Sequence, residues 1–314
     1  MDARLKAWHA GSDSGFGPWY NPMTSYPFVT VDVFTAQRFG GNPLAVFPDA
    51  AGLSDTDMQG LAREFNLSET TFVLPPADPA HTGRVRIFTP AYELPFAGHP
   101  NVGTGYVLAR QGRDRNGLLL FEETAGLVKV KVERDGGEVT GATLAAPQAL
   151  ALGTELSPET AAACAGLHPA DVVTASHPPI EASLGNPVTI AEVAAEALAE
   201  AAPDLEQFRR AAAALPGAGL LLYLYAHDNG RIRARMFAPL AGISEDPATG
   251  AAAVALAALL LSLSEEASGA YEITQGVEMG RPSLLRTTAT RTPDGIRATV
   301  GGASVEVLRG EATV

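Results

Sequence analysis

The chain predicts an α+β protein of two similar halves, each organised around a buried helix that a sheet must enclose. Three observations carry this. The stretch Gly250 to Leu261 is apolar on every face. A water-soluble helix with no polar face has to be surrounded, and this one falls short of the about 20 apolar residues that cross a bilayer. Next, Val85-Arg-Ile-Phe-Thr-Pro90 returns 149 residues later as Ala234-Arg-Met-Phe-Ala-Pro239, and Gly98-His99-Pro100-Asn-Val-Gly103 returns 147 residues later as Glu245-Asp246-Pro247-Ala-Thr-Gly250. Finally, strands and helices do not alternate as βαβ units, which argues against a doubly wound sheet.

Taken in order, residues 1–26 lack periodicity and read as an N-terminal extension, with Met23 a plausible alternative start. A first domain is expected over 27–148. It opens with the alternating strand Val29–Phe34, a Gly-Asn-Pro turn and the strand Leu44–Phe47. Ser54 then caps a helix whose first turn carries Asp55 and Asp57. The strands Thr70–Leu74 and Val85–Phe88 lead to a first central helix over about Pro100–Arg110, and short strands finish the half.

A second domain is expected over 149–302, with a C-terminal strand near 303–314 that can return to the first. Pro158–Ala165 and the Ala/Glu-rich run Glu192–Leu215, interrupted by Pro203, read as outer helices. Val172–Ser176 and Val188–Ile190 read as strands. Asp228-Asn-Gly230 is a hairpin signal between Leu220–Tyr225 and Ile232–Phe237. After the second central helix come four strands, the last two being Ile296–Val300 and Val305–Leu308.

The formal charge of −13 makes a nucleic-acid backbone or an acidic membrane surface an unlikely partner. The single cysteine, Cys164, allows no intrachain disulfide, fits a cytoplasmic setting and reads as a core residue. No histidine stands at metal-ligand spacing from another ligand type. Neither a phosphate-binding loop nor a dinucleotide fingerprint is present.

Asp246 is placed as an N-cap with Pro247 at the first helical position, and the repeat puts His99 and Pro100 in the equivalent places. Two helix N-termini aimed at one cleft make a natural anion site, since both offer free N–H groups and a partial positive charge. Glu69, between a helix and a strand, is either a solvated loop carboxylate or a general acid/base held at a strand mouth. His99 and Asp246 are caps on the bland reading. On the sharp one they are groups facing substrate, and capping does not call for a histidine.

The set Val31-Asp-Val-Phe34, Gly41-Asn-Pro43, Asn66-Leu-Ser-Glu-Thr-Thr-Phe72, Arg86-Ile-Phe-Thr-Pro90, Phe96-Ala-Gly-His-Pro100, Glu245-Asp-Pro-Ala-Thr-Gly250, Gln275-Gly276 and Met279-Gly-Arg-Pro282 resembles the PhzF-like (phenazine biosynthesis) family. It does so from about residue 27 to the end. The resemblance implies the diaminopimelate-epimerase-like fold: two pseudo-symmetric domains, each a β-barrel-like sheet around a central helix, with the site between them. It also implies a homodimer and no cofactor.

By position Glu69 matches the family's catalytic glutamate, and Gly98, His99 and Asp246 match other site residues. Gly250 and Ala251 complete the expected substrate-binding helix start. Ala251 stands where the family often has Ser. Neither helix-start turn carries a cysteine, so the two-thiol chemistry of related epimerases is not available. The expected activity is an isomerase of a small carboxylate, similar to trans-2,3-dihydro-3-hydroxyanthranilate isomerase. Epimerisation on the same fold, or ligand binding without turnover, are the alternatives.

Overall fold

The computed structural model describes residues 24–215, 219–228 and 231–314. The expected extension over 1–26 therefore falls almost wholly outside the described residues, as does the tip of the Asp228 turn. Among the described residues, eighteen strands form one continuous hydrogen-bonded system.

The first half contains β1 (Ser25–Val33), β2 (Asn42–Phe47), α1 (Asp55–Phe65), β3 (Glu69–Leu74), β4 (Gly83–Phe88), β5 (Glu93–Leu94), α2 (Gly98–Arg110), β6 (Leu118–Glu123), β7 (Gly126–Asp135) and β8 (Glu138–Ala145). The second contains β9 (Ala151–Glu155), α3 (Pro158–Cys164), β10 (Val172–Val173), β11 (Ile180–Ser183), β12 (Pro187–Val193), α4 (Ala195–Glu200), α5 (Leu205–Ala214), β13 (Leu222–Asp228), β14 (Arg231–Ala238), β15 (Ile243–Asp246), α6 (Gly250–Ser262), β16 (Ser268–Gln275), β17 (Ser283–Thr292) and β18 (Gly295–Thr313).

Each half closes on itself. The pairings β1–β2–β3–β4–β6–β7–β8–β18–β1 return to their start, a ring of eight strands. In the other half β18–β17–β16–β14–β13–β12–β11–β9 run in sequence. Ala146 and Leu150, just before β9, donate backbone bonds back to β18. Closure removes the exposed sheet edges that would otherwise invite further pairing.

Inside the rings lie α2, buried from Gly98 to Ala109, and α6, buried over nearly its whole length. The apolar patterning of α6 required such an enclosure, and the sheets supply one to each helix. Strand alternation sorts the second barrel. Tyr223 and Tyr225 point inward to the core around α6, whereas Leu222, Leu224 and Phe237 face the outer helices α3–α5. Outside the first barrel, Ser54 and Asp57 form a capping box on α1, whose Met58 and Ala62 pack on Phe47 and Phe72. Cys164 is buried in α3, as expected for a core residue, and burial pushes its thiol up to about 11.

The short strands β5, β9, β11 and β15 were not expected, and three expected elements differ. Glu192 belongs to β12 rather than to the outer run, which divides into α4 and α5 around Pro203 as expected. The strand expected over Val172–Ser176 ends after two residues. The two expected C-terminal strands are one, with Gly301 and Gly302 continuing the extended chain between them. Those glycines sit where β18 passes between the barrels. A Cβ on Gly302 would fall 2.5 Å from the Phe34 ring, so the close crossing needs a bare backbone. The same strand pairs with β17 through its first part and with β1 from Ser304 onward.

Candidate active site

The barrels meet where their helices begin. A Cβ built on Gly98 would lie 3.4 Å from Gly250 Cα, and one on Gly250 would lie 3.6 Å from Gly98 Cα. Around this contact opens a cleft of about 460 Å³ lined by Glu69, Gly98, His99, Asp246, Gly250 and Ala251, together with Leu94, Phe96, Asn186 and Leu221. All six residues singled out from the sequence thus share one cavity.

The local roles of two of them differ from expectation. Asp246 is not the cap of α6. It ends β15, and the helix starts four residues later with Thr249 at the N-cap position, where no side chain caps it. His99 is the second residue of α2, behind an Ala97 cap that also lacks a side-chain bond. The two helix starts therefore leave N–H groups that no side chain of their caps satisfies, as a site for an external anion requires.

The repeat is also realigned. Arg86 makes a two-pronged pair with Glu93, and Arg235 makes the same pair with Glu245. Ile87 faces Leu94 across β4–β5, and Met236 faces Asp246 across β14–β15. From this point the halves correspond as Glu93 with Glu245 and Gly98 with Gly250. His99 is matched by Ala251 and Asp246 by Leu94, so His99 and Asp246 are not repeat mates. The sequence match was misled because Pro100 lies inside the first turn of its helix, whereas Pro247 lies in the approach to the other.

Glu69 opens β3 with its side chain 13% exposed, and His99 Nε2 stands 3.4 Å from its Oε2 with 7% exposure. Neither atom has another partner among the described residues. Burial, and then the negative charge of Asp246, push the Glu69 carboxyl up to about 8. Burial alone holds the His99 ring down to about 3, so it is neutral at physiological pH. Asp246 is raised to about 6 by burial, opposed by hydrogen bonds from Thr249 and Asn42. Two carboxyls with separated proton affinities, beside a neutral imidazole, can take and return a proton near neutral pH.

A polar frame that the sequence reading did not assign holds this group. Asn42 Nδ2 donates to Asp246 Oδ1 at 2.9 Å and to the Ala248 carbonyl at 3.0 Å. The Thr249 hydroxyl donates to the other Asp246 oxygen. Gln275 Nε2 donates to the Asp246 carbonyl at 2.7 Å, and its Oε1 accepts from Thr249 N and from Tyr223 OH, each at 3.1 Å. A signal for Asn42 existed: Gly41-Asn42-Pro43 recurs as Gly185-Asn186-Pro187. Both asparagines stand at the start of the barrel strand that runs parallel to its successor, Asn42 opening β2 beside β3 and Asn186 just before β12 beside β13.

A family profile described as phenazine biosynthesis-like protein matches residues 31–310. The chain is 39% identical over 310 residues to an uncharacterized isomerase of Mesorhizobium japonicum, covering 92% of this chain and 99% of that protein. It is 38% identical over 289 residues to the trans-2,3-dihydro-3-hydroxyanthranilate isomerase of Pseudomonas chlororaphis, covering 90% and 98% respectively. The crystal structure of a PhzF-family phenazine biosynthesis protein from Bacillus anthracis superposes with a TM-score of 0.83 at 25% identity, over 93% of this chain and all 100% of that one. The closed pair of barrels, the shared cleft and these similarities agree: the chain belongs to the phenazine biosynthesis-like (PhzF) family and is an isomerase.

Proposed function

We propose that the protein shifts a proton within a small carboxylated substrate, using Glu69 as the acid/base and no cofactor. The observation that carries this reading is the buried Glu69 carboxyl, free of any strong partner and poised near 8 beside His99. The substrate carboxylate would take the uncapped N–H groups of Gly98–His99 and Gly250–Ala251. Glu69 would then break an activated C–H bond, the electron pair moving into the adjoining unsaturated system. The same carboxyl would return the proton to another carbon of that system. One base suffices because the proton leaves and re-enters on the same face.

His99 and Asp246 would orient the substrate or relay the proton. Ala251 offers a backbone N–H but no hydroxyl, so its side adds no polar grip. We place the enzyme in the cytoplasm, in line with its single cysteine, and as a homodimer, following the family resemblance. No helix among the described residues is long and apolar enough to cross a membrane.

The test is proton exchange followed by NMR in deuterated water, with trans-2,3-dihydro-3-hydroxyanthranilate and a panel of other small carboxylates. Wild type should exchange or isomerise at least one compound, and Glu69→Gln should bind it equally and lose turnover. Equal rates in the two proteins would overturn the mechanism. Loss of optical activity without isomerisation would point instead to epimerisation.

A further inference from the structure

We propose that Asn42 is a positioning residue that locks His99 in one neutral tautomer, with Nδ1 bare and Nε2–H on the side of Glu69 and the cleft. The proposal deepens the isomerase reading and rests on it for its catalytic meaning, though not for its geometry.

The argument starts with the amide of Asn42. This side chain is wholly buried, and its nitrogen faces three atoms: Asp246 Oδ1 at 2.9 Å, the Ala248 carbonyl at 3.0 Å and His99 Nδ1 at 3.4 Å. The first two are acceptors in any protonation state that leaves Asp246 ionised. Turning the amide over would set its carbonyl oxygen against a carboxylate and a carbonyl, an arrangement with three acceptors and no proton. Nδ2 therefore faces this way, and a donor group confronts His99 Nδ1.

The ring follows from the amide. A proton on Nδ1 would meet the Asn42 NH₂ donor to donor inside a buried site, where an unsatisfied donor is costly. A bare lone pair on Nδ1 avoids that clash, the two amide hydrogens serving Asp246 and Ala248 first and His99 only through the longer 3.4 Å approach. In a neutral imidazole the proton then sits on Nε2, whose neighbour is the Glu69 carboxyl at 3.4 Å. His99 can donate into the cleft but cannot accept a proton there. Glu69 is left as the base of the pair, and a two-base inversion through His99 Nε2 is closed off.

Asn42 reaches these atoms across the molecule. It opens β2 of the first barrel and holds Asp246 and Ala248 on the approach to α6 in the second. Its repeat mate makes the contrast. Asn186 is exposed, lines the cleft, and has no hydrogen-bond partner among those described.

The experiment is ¹⁵N NMR of the full chain with labelled imidazoles, the His99 signals assigned through His99→Gln. Wild type should show Nδ1 unprotonated and Nε2 protonated. Asn42→Asp, which puts an acceptor in place of the donor, should move the proton to Nδ1. Asn42→Leu should let the ring average between tautomers, and Asn186→Leu should leave it unchanged. A wild-type ring protonated on Nδ1, or one averaging both forms, overturns the proposal even if no Asn42 variant folds. An unchanged tautomer in folded Asn42→Asp overturns it as well.

In turnover, with trans-2,3-dihydro-3-hydroxyanthranilate as probe, Asn42→Asp should lower kcat about 10²-fold, the lower end for a positioned proton-transfer group, with little change in KM. A fall confined to KM would count against it. If wild type leaves that compound untouched, the isomerase reading fails on this probe, while the tautomer measurement still decides the role of Asn42.

Discussion

The two barrels share a frame and differ in chemistry, and the differences are concentrated at the cleft. Strand registers set Thr70 opposite Phe88 and Leu222 opposite Phe237, so Glu69 in one half corresponds to Leu221 in the other. The same comparison matches His99 with Ala251 and Leu94 with Asp246. Parallel pairing of β4 with β6 and of β14 with β16 matches Glu123 with Gln275.

What both halves keep is structural: an Arg–Glu clamp at the strand end, a glycine at each helix start, and a helix surrounded by apolar side chains. What each half holds alone is titratable. A duplicated scaffold thus carries an unduplicated cleft, and its group of titratable residues is complete only when both halves are together.

The largest expected effect tests the asymmetry itself. Glu69→Gln should cut turnover by about 10²–10⁴-fold, whereas Leu221→Ala, at the mate position, should alter chiefly KM. Because a base must be deprotonated to act, wild-type kcat/KM should rise with pH through the region of about 8 where Glu69 ionises. A rate independent of pH from 6 to 9 would remove Glu69 from the role of base.

The two clamps should differ in strength. Arg235 is 7% exposed, pairs with Glu245 and also donates to the Leu198 and Ala201 carbonyls at the end of α4. Arg235→Met strands a buried carboxylate, and denaturant unfolding should report a loss of about 3–5 kcal/mol. Arg86 shares its charge between Glu93 and the exposed Asp55. Arg86→Met should cost on the order of 1 kcal/mol. Equal losses would mean that the clamps are equivalent after all.

A third change strikes the strand the barrels share. Gly302→Ala should destabilise by about 1–3 kcal/mol through overpacking against Phe34, and Phe34→Leu in the same chain should recover part of it.

The smallest effect concerns Glu123, whose two oxygens are buried with only the Asn101 amide nearby to ease them, where the other half has an amide. Burial raises its carboxyl from 4.5 to about 8. A raised folded-state value means that stability is fully present below about 4.5 and is lost as pH rises through about 8. Glu123→Gln should therefore raise Tm modestly at pH 8, leave it unchanged at pH 4, and flatten the curve between. A lower Tm at pH 8 would show that the ionised carboxylate is needed.

The division between sequence and tertiary structure follows from the range of each interaction. Local pattern determined the enclosed helix α6, because the run Gly250 to Leu261 has no face that tolerates water, and the repeat extended that reading to α2. It determined the capped start of α1 at Ser54, where cap and partner stand three residues apart. Short ordered motifs also brought Glu69, Gly98, His99, Asp246, Gly250 and Ala251 forward as one group.

Contacts between distant residues were beyond its reach. Asn42 and Asp246 are 204 positions apart, and nothing in either neighbourhood specifies their bond. The true register of the repeat depends on the Arg–Glu clamps and on strand pairing, whereas the proline spacing pointed to another. The continuity of β18 depends on the bare backbone of Gly301 and Gly302 being pressed between two barrels. Asp246 and His99 look like caps because capping is a local property. Tertiary structure made them cleft residues instead, since closing both barrels brings their helix starts together and leaves the N–H groups there free.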